Sequence, residues 1–306
     1  MFKNLLKNKK DNKQKESQSA MEYLMTYGWA ILIIAVVLVV LFHMGIFNTN
    51  TGPKALPGSC KVYRPNGPGT TYLMSLEGVC SRELPEYVAQ FNGEGFIGST
   101  IPIIPEGTNS ITFTMWFNSE NTAFTNPPYS DPNLLSYGAV SSCNPGQPTD
   151  IYIYNHQVSI NWWCGGLLIP MTLQNNNWYF VAYSWNGVVA EGFVGSSNSL
   201  VNNTASEINS ISASGISIGT YGSVQTGNAP FVGYISNIQI YNTSLSANEI
   251  QALYQEGIGG VPIDLQNLIA WYPLNGNAND YSGNGNNGVP KNVIFTSLWE
   301  NGYNQP

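Results

Sequence analysis

The chain has 306 residues, of which 43% are hydrophobic, enough for a substantial core and too many for wholesale disorder. Charged residues make up only 9%, against roughly 25% in an ordinary soluble domain, so polarity rests on Asn, Gly, Ser, Thr and Tyr, which suits an exported surface protein better than a cytosolic enzyme. Removing residues 1–17, with six of the lysines, Asp11 and Glu16, leaves 5 basic against 16 acidic residues, a net of −11; that balance excludes nucleic acid as a partner, and two histidines, His43 and His156, speak against a His-built metal or general-base site.

Leu24 to Phe47 is almost wholly apolar, broken by Thr26 and His43. About 20 such residues span a bilayer as a helix, so the pattern predicts a long hydrophobic helix over 18–47 behind a basic leader, 1–17. The lysines precede the span and the next basic residue is Lys54, which places the amino terminus in the cytoplasm and everything after about residue 48 outside. A secretory signal peptide is the plainer alternative, but Phe42 to Phe47 offers no small-residue cleavage site. Glu22 stands at the edge of the apolar stretch with no basic neighbour on its helical face, a costly position that asks for a partner. With the run Lys15-Glu16-Ser17-Gln18-Ser19-Ala20-Met21-Glu22-Tyr23-Leu24, residues 13–47 resemble archaeal type IV pilins, whose leaders end in a small residue before Gln and whose mature chains carry Glu at the fifth position. The resemblance implies cleavage between Ser17 and Gln18 by a membrane prepilin peptidase, after insertion in the cytoplasmic membrane. It also implies a helical homopolymer in which Glu22 neutralises the amine of a neighbouring Gln18.

Residues 48–58 are rich in Thr, Gly, Pro and Asn and read as a stalk. Beyond them, from 59 to 306, strand signals dominate: Ser110 to Phe117, Asp150 to Tyr154, Gln157 to Trp162, Trp178 to Trp185 and Gly233 to Tyr241. Each is β-branched or aromatic and bounded by Gly, Asn or Pro, as in a two-sheet sandwich. Ser246 to Tyr254 is the one helical signature, with Ser246 as N-cap and Glu249 completing a capping box. The Trp116 strand, the Trp178 to Trp185 segment, the Tyr241 to Ile250 ending and Leu268-Ile269-Ala270-Trp271-Tyr272-Pro273-Leu274-Asn275-Gly276 with its continuation to Gly285 resemble laminin-G-like, concanavalin A-type jelly rolls. In that family the last of these segments opens the domain, whereas here it follows the helix. The expected fold is therefore a long N-terminal α-helix, serving as membrane span and filament core, followed by an all-β, circularly permuted concanavalin A-like sandwich that takes in 268–287.

Cys60, Cys80, Cys143 and Cys164 are even in number and lie outside the membrane, which reads as disulfides. Pairing 60–80 and 143–164 is favoured because each closes a local segment; a four-thiolate zinc site is the alternative, without C-x-x-C spacing to support it. Asn202 and Asn242 sit in Asn-x-Thr/Ser sequons, glycan acceptors on an exported surface. Some jelly rolls of this kind hydrolyse glycans, which takes paired carboxylates; no such pair lies along one strand here, and no catalytic residue is expected. Trp162, Trp163, Trp178, Trp185 and many Tyr could stack on sugars, although strand aromatics more often fill cores. Asp280, in the turn to Gly285, could offer oxygens to Ca²⁺, the one cofactor the resemblance suggests. The expected function is a structural subunit of a type IV pilus-like surface filament whose head contacts surface glycans; the competing class is a monomeric, membrane-anchored adhesin or lectin.

Overall fold

The computed structural model describes residues 25, 27–39, 60–80, 83–99, 102–105, 107–108, 110–124, 132–137, 149–162, 165–206, 215–221 and 231–306. The chain divides into two units, Met1–Ala55 and Leu56–Pro306. In the first, residues 27–39 form a helix, α1, whose large apolar side chains from Ile31 to Val39 are exposed. At 1.5 Å per residue such a helix extends about 20 Å, against about 30 Å of bilayer hydrocarbon. Among the described residues no helix is long and apolar enough to cross a membrane. Among the described residues the long N-terminal helix read from hydropathy, as membrane span and filament core, is corrected to the shorter α1, and the described structure is nearly all β. Ser17, Gln18 and Glu22 lie outside the described residues.

The second unit is a sandwich. Its larger sheet has the order β12-β11-β10-β5-β14-β3-β17, built from β12 (Leu200–Ser206), β11 (Val189–Gly195), β10 (Trp178–Trp185), β5 (Ile111–Ser119), β14 (Val232–Tyr241), β3 (Val88–Asn92) and β17 (Ile294–Thr296). A further strand, β15 (Leu268–Tyr272), pairs with β14 from Ile238 to Tyr241, beyond the stretch from Val232 to Ile235 that β3 occupies. The smaller sheet runs β16-β4-β13-β6-β7-β8-β9, from β16 (Val289–Lys291), β4 (Phe96–Gly98), β13 (Ile216–Ile218), β6 (Asn133–Tyr137), β7 (Thr149–Tyr154), β8 (Gln157–Trp162) and β9 (Gly165–Leu168). A separate hairpin joins β1 (Lys61–Tyr63) to β2 (Ser75–Glu77), and the Cys60–Cys80 disulfide ties its ends together.

Two hydrophobic clusters hold these layers. The first lies between the sheets and includes Phe113, Met115, Phe117, Tyr183, Ile151, Ile153, Val158 and Ile160. The second lies on the outer face of the larger sheet, where Trp116, Trp178, Phe180 and Tyr241 meet Tyr254, Trp271 and Trp299. Covered on both faces, β5 and β10 are buried at every position, so their sequences lack the polar alternation of a half-exposed strand. The covering helix, α2 (Ala247–Glu256), starts as read: Ser246 caps it, and the Glu249 side chain returns a bond to the Ser246 N–H. Ile250, Leu253 and Tyr254 form its buried face. The C-terminal tail then crosses the same cluster. Trp178 Nε1 donates to the Trp299 carbonyl at 2.9 Å and the Ile258 N–H donates to Tyr303 Oη at 3.0 Å.

Candidate functional site

With both faces of the central strands β5 and β10 of the larger sheet covered, the outward face of the smaller sheet is a surface on which the fold can present chemistry. Its strands alternate cleanly at β7 and β8. Ile151, Ile153, Val158, Ile160 and Trp162 point into the core, which sends Asp150, Tyr152 and Tyr154 of β7 and Gln157, Ser159 and Asn161 of β8 to the other side. The two strands are joined by a two-residue turn in which Asn155 and His156 both have positive φ, 43° and 62°, as a type I′ hairpin requires. Cross-strand register then sets a polar row across the sheet: Gly98, Ser217, Ser136, Asp150, Asn161 and Gly166 are successive partners on β4, β13, β6, β7, β8 and β9. Burial grades along it. Ser217, Ser136 and Asp150 are buried, Asn161 is half-exposed and Gly166 is exposed.

Asp150 is the focal group. It is 6% exposed, and burial pushes its carboxyl up to about 8, a rise that a hydrogen bond from the Asn133 side chain partly offsets. Among the described residues, three buried side-chain oxygens lack a hydrogen-bond partner, and two of them are Asp150 Oδ1 and Asn133 Oδ1. Asn133 is brought beside Asp150 by an irregularity in the β6–β7 ladder between Asn133 and Leu135, which leaves both Leu134 and Leu135 in the core. Two acceptors left open in a buried place cost stability that a donor-bearing ligand would restore. Alongside them Tyr152, half-exposed, and Tyr154, 39% exposed, form an aromatic stripe on the same face.

The residues singled out from sequence fall elsewhere. Asp280 is buried beneath β15, and its carboxylate is already engaged: Oδ1 accepts from the Trp271 and Ser282 N–H groups at 2.9 and 2.8 Å, and Oδ2 from Ser282 Oγ and the Asn286 N–H at 2.8 and 2.9 Å. These bonds organise the Asn-rich loop, and among the described residues no group of three or more His, Cys, Asp or Glu side chains could hold a metal ion. The asparagines of that loop turn inward with it. Asn284 and Asn286 donate to the Ile269 carbonyl and Asn287 Oδ1 accepts from the Asp280 N–H. Arg64 locks the adjoining hairpin by donating to the Ser282, Thr70, Leu265 and Leu268 carbonyls. Trp162, Trp178 and Trp185 are buried core residues, and Trp163, Cys143 and Cys164 lie outside the described residues. Asn202 is exposed on edge strand β12, where its amide donates to Glu191 at 2.7 Å, and Asn242 is exposed just after β14. Sequence reading counted the tyrosines together as candidate sugar platforms without singling out Tyr152 and Tyr154, although the alternation Asp150-Ile151-Tyr152-Ile153-Tyr154 carries that information.

The fold is similar to those of known proteins. A profile described as the concanavalin A-like lectin/glucanases superfamily matches residues 96–251. Among curated protein sequences none matches. Among solved structures, a protein from Bacteroides ovatus solved as a candidate carbohydrate binding protein is 15% identical with a TM-score of 0.51, over 74% of this chain and 63% of that one. The SAP-like pentraxin of Limulus polyphemus is 15% identical at TM-score 0.48, over 70% and 95% of the two chains. The CBM40 domain of the Ruminococcus gnavus IT-sialidase, solved bound to α2,3 sialyllactose, is 19% identical at TM-score 0.42, over 56% and 98%.

Proposed function

The chain belongs to the concanavalin A-like lectin/glucanase superfamily, and we propose that its head is a glycan-contacting module of the cell surface that acts by binding rather than catalysis. The observation that carries this reading is the outer face of the smaller sheet, where Tyr152 and Tyr154 stand beside Asp150, Asn133 and Asn161. An aromatic ring covers the apolar face of a pyranose, while amide and carboxyl groups meet its hydroxyls. Glycoside hydrolysis needs two carboxyl groups roughly 5–9.5 Å apart across the scissile bond. Asp150 is the one carboxylate among the described residues of this sheet's strands. Screening the full-length chain on a broad glycan array tests the reading. Binding that Tyr154→Ala reduces at least tenfold is expected; a blank array, or binding indifferent to Tyr152→Ala and Tyr154→Ala together, would contradict it.

One sequence observation favours a second, additional reading. The order Ser17, Gln18, Glu22 behind six lysines supports processing by a prepilin peptidase and self-association into a type IV pilus-like surface filament, with an anchored, monomeric adhesin as the alternative. Sequencing the protein from cells should then give Gln18 as amino terminus, and Glu22→Gln should abolish filaments seen by electron microscopy. A terminus beyond residue 43 would overturn it.

A further inference from the structure

Asp150 is nine-tenths buried, beside a second oxygen without a donor, and the one basic side chain described on its sheet, Lys291, lies four strands away over the Phe96 ring. Resting on the glycan reading, we propose that Asp150 and Asn133 form a subsite for a primary ammonium group, so that the glycan this head takes carries a free amino sugar.

The donor count favours an ammonium over a hydroxyl pair. Asp150 Oδ1 and Asn133 Oδ1 both lack a partner, and an ammonium brings three N–H donors together with the charge that a buried carboxylate needs. Hydroxyls would fill the two acceptors but bring no charge to pair with the carboxylate once Asp150 ionises. The protein supplies no cation of its own among the described residues nearby. On the strands flanking Asp150, β6 carries one titratable side chain, Tyr137, which turns into the core, and β8 carries none. On β7 itself the titratable neighbours are Tyr152 and Tyr154, and His156 in the following turn lies 2.8 Å from Thr122 Oγ1 through its Nδ1. Beyond these, β4, β13 and β9 have none. The one basic side chain on this sheet's strands is Lys291 of β16, four strands away and seated over the Phe96 ring. The negative balance of the chain beyond residue 17 draws a cationic ligand toward the head. Entry is from the side of β8 and β9, where Asn161 is half-exposed and Gly166 exposed.

Burial leaves Asp150 protonated at neutral pH, which makes binding a proton exchange. The neutral carboxyl gives up its proton to solvent, the resulting carboxylate pairs with the ligand's ammonium, and charge balances with one proton released per ligand bound. That release is expected below pH about 8 and disappears above it. Affinity falls toward acid as the proton competes for Asp150 and falls toward alkali as the amine loses its own proton.

Calorimetric titration of the full-length chain with a glucosamine tetramer and with its N-acetylated counterpart tests the subsite. The titrations are run at pH 6.5 in two buffers of unlike ionisation enthalpy. The expected result is at least tenfold tighter binding of the free amine, about one proton released per ligand, and loss of both effects in Asp150→Asn, which is isosteric and whose melting curve checks the fold. Should that variant fail to fold, the comparison of amine with amide on the wild type still decides. Equal affinity for the two tetramers overturns the ammonium subsite and leaves the glycan reading standing, as does binding of neutral glycans alone. Failure to bind any glycan removes the glycan reading itself. A lysine-rich peptide that competes as tightly as the tetramer overturns the amino sugar in favour of a protein partner.

Discussion

Two buried aspartates in this head illustrate opposite uses of the same side chain. Asp280 has a donor for each lone pair that its loop can reach, including the backbone N–H groups of Trp271, Ser282 and Asn286. Asp280→Ala strips these of their acceptor; at about 1–3 kcal/mol for each buried group left unpaired, denaturant titration should show a loss of about 3 kcal/mol or more. Because hydrogen bonds already occupy the carboxylate, adding or chelating Ca²⁺ should leave the melting temperature unchanged; a rise with Ca²⁺ that Asp280→Ala abolishes would contradict this. Asp150 is left half-satisfied, and its carboxyl rises from 3.8 to about 8 on folding. Between those values the folded chain binds one more proton than the unfolded, so stability falls as pH rises through the window and levels off above about 8. Asp150→Asn should remove this slope, and urea titrations at pH 5 and pH 8.5 should find the variant more stable than wild type at the higher pH only. A wild-type stability flat across the window would contradict the buried, unpaired carboxyl. The aromatic stripe beside Asp150 was legible from period-two alternation in Asp150-Ile151-Tyr152-Ile153-Tyr154. Asn133 was not, because the irregularity after it breaks the alternation that would have placed it on the same face.

Among the elements, the segment after α2 decides whether the sandwich is closed. Following β15, β16 pairs with β4 at the edge of the smaller sheet and β17 pairs with β3 at the edge of the larger one, so one short segment, 289–296, covers an edge of each. At the opposite side, Asn203 of β12 donates to the Leu168 carbonyl of β9 at 2.9 Å, linking the other two edges. Truncation before residue 289 would expose two strand edges at once and remove Trp299, and it should abolish the cooperative melt of the head. A milder test is Trp299→Ala, expected to cost about 3–5 kcal/mol; a change below about 1 kcal/mol would show the tail to be an appendage. Strands β5, β7, β8, β10 and β14 were legible because β-branched and aromatic runs ended at Gly, Asn or Pro. β16 was not, since Val289-Pro290-Lys291 carries a proline that only an edge position tolerates. The N-terminal element was overread because a hydropathy window counts apolar residues and does not fix where a helix starts or stops.

At the scale of the molecule, the covering of one sheet directs function to the other. The aromatic cluster of Trp116, Trp178, Phe180, Tyr254, Trp299 and Tyr303 fills the outer face of the larger sheet, which is why so many aromatics in the sequence are unavailable to ligands. The face that remains carries polar side chains in register and two tyrosines at its open end. A low overall charge fits this division, because Asn, Ser and Tyr supply both the inward hydrogen bonds of the 275–287 loop and the outward groups of the candidate site. The most direct test of the glycan face is carbene footprinting of the full-length chain, with and without a glycan selected from the array. Protection is predicted at Tyr152, Tyr154 and Asn161, with no change at Tyr63, Tyr72 or residues 275–287. Protection confined to the β1–β2 hairpin or the 275–287 loop, with Tyr152 and Tyr154 unaltered, would contradict it.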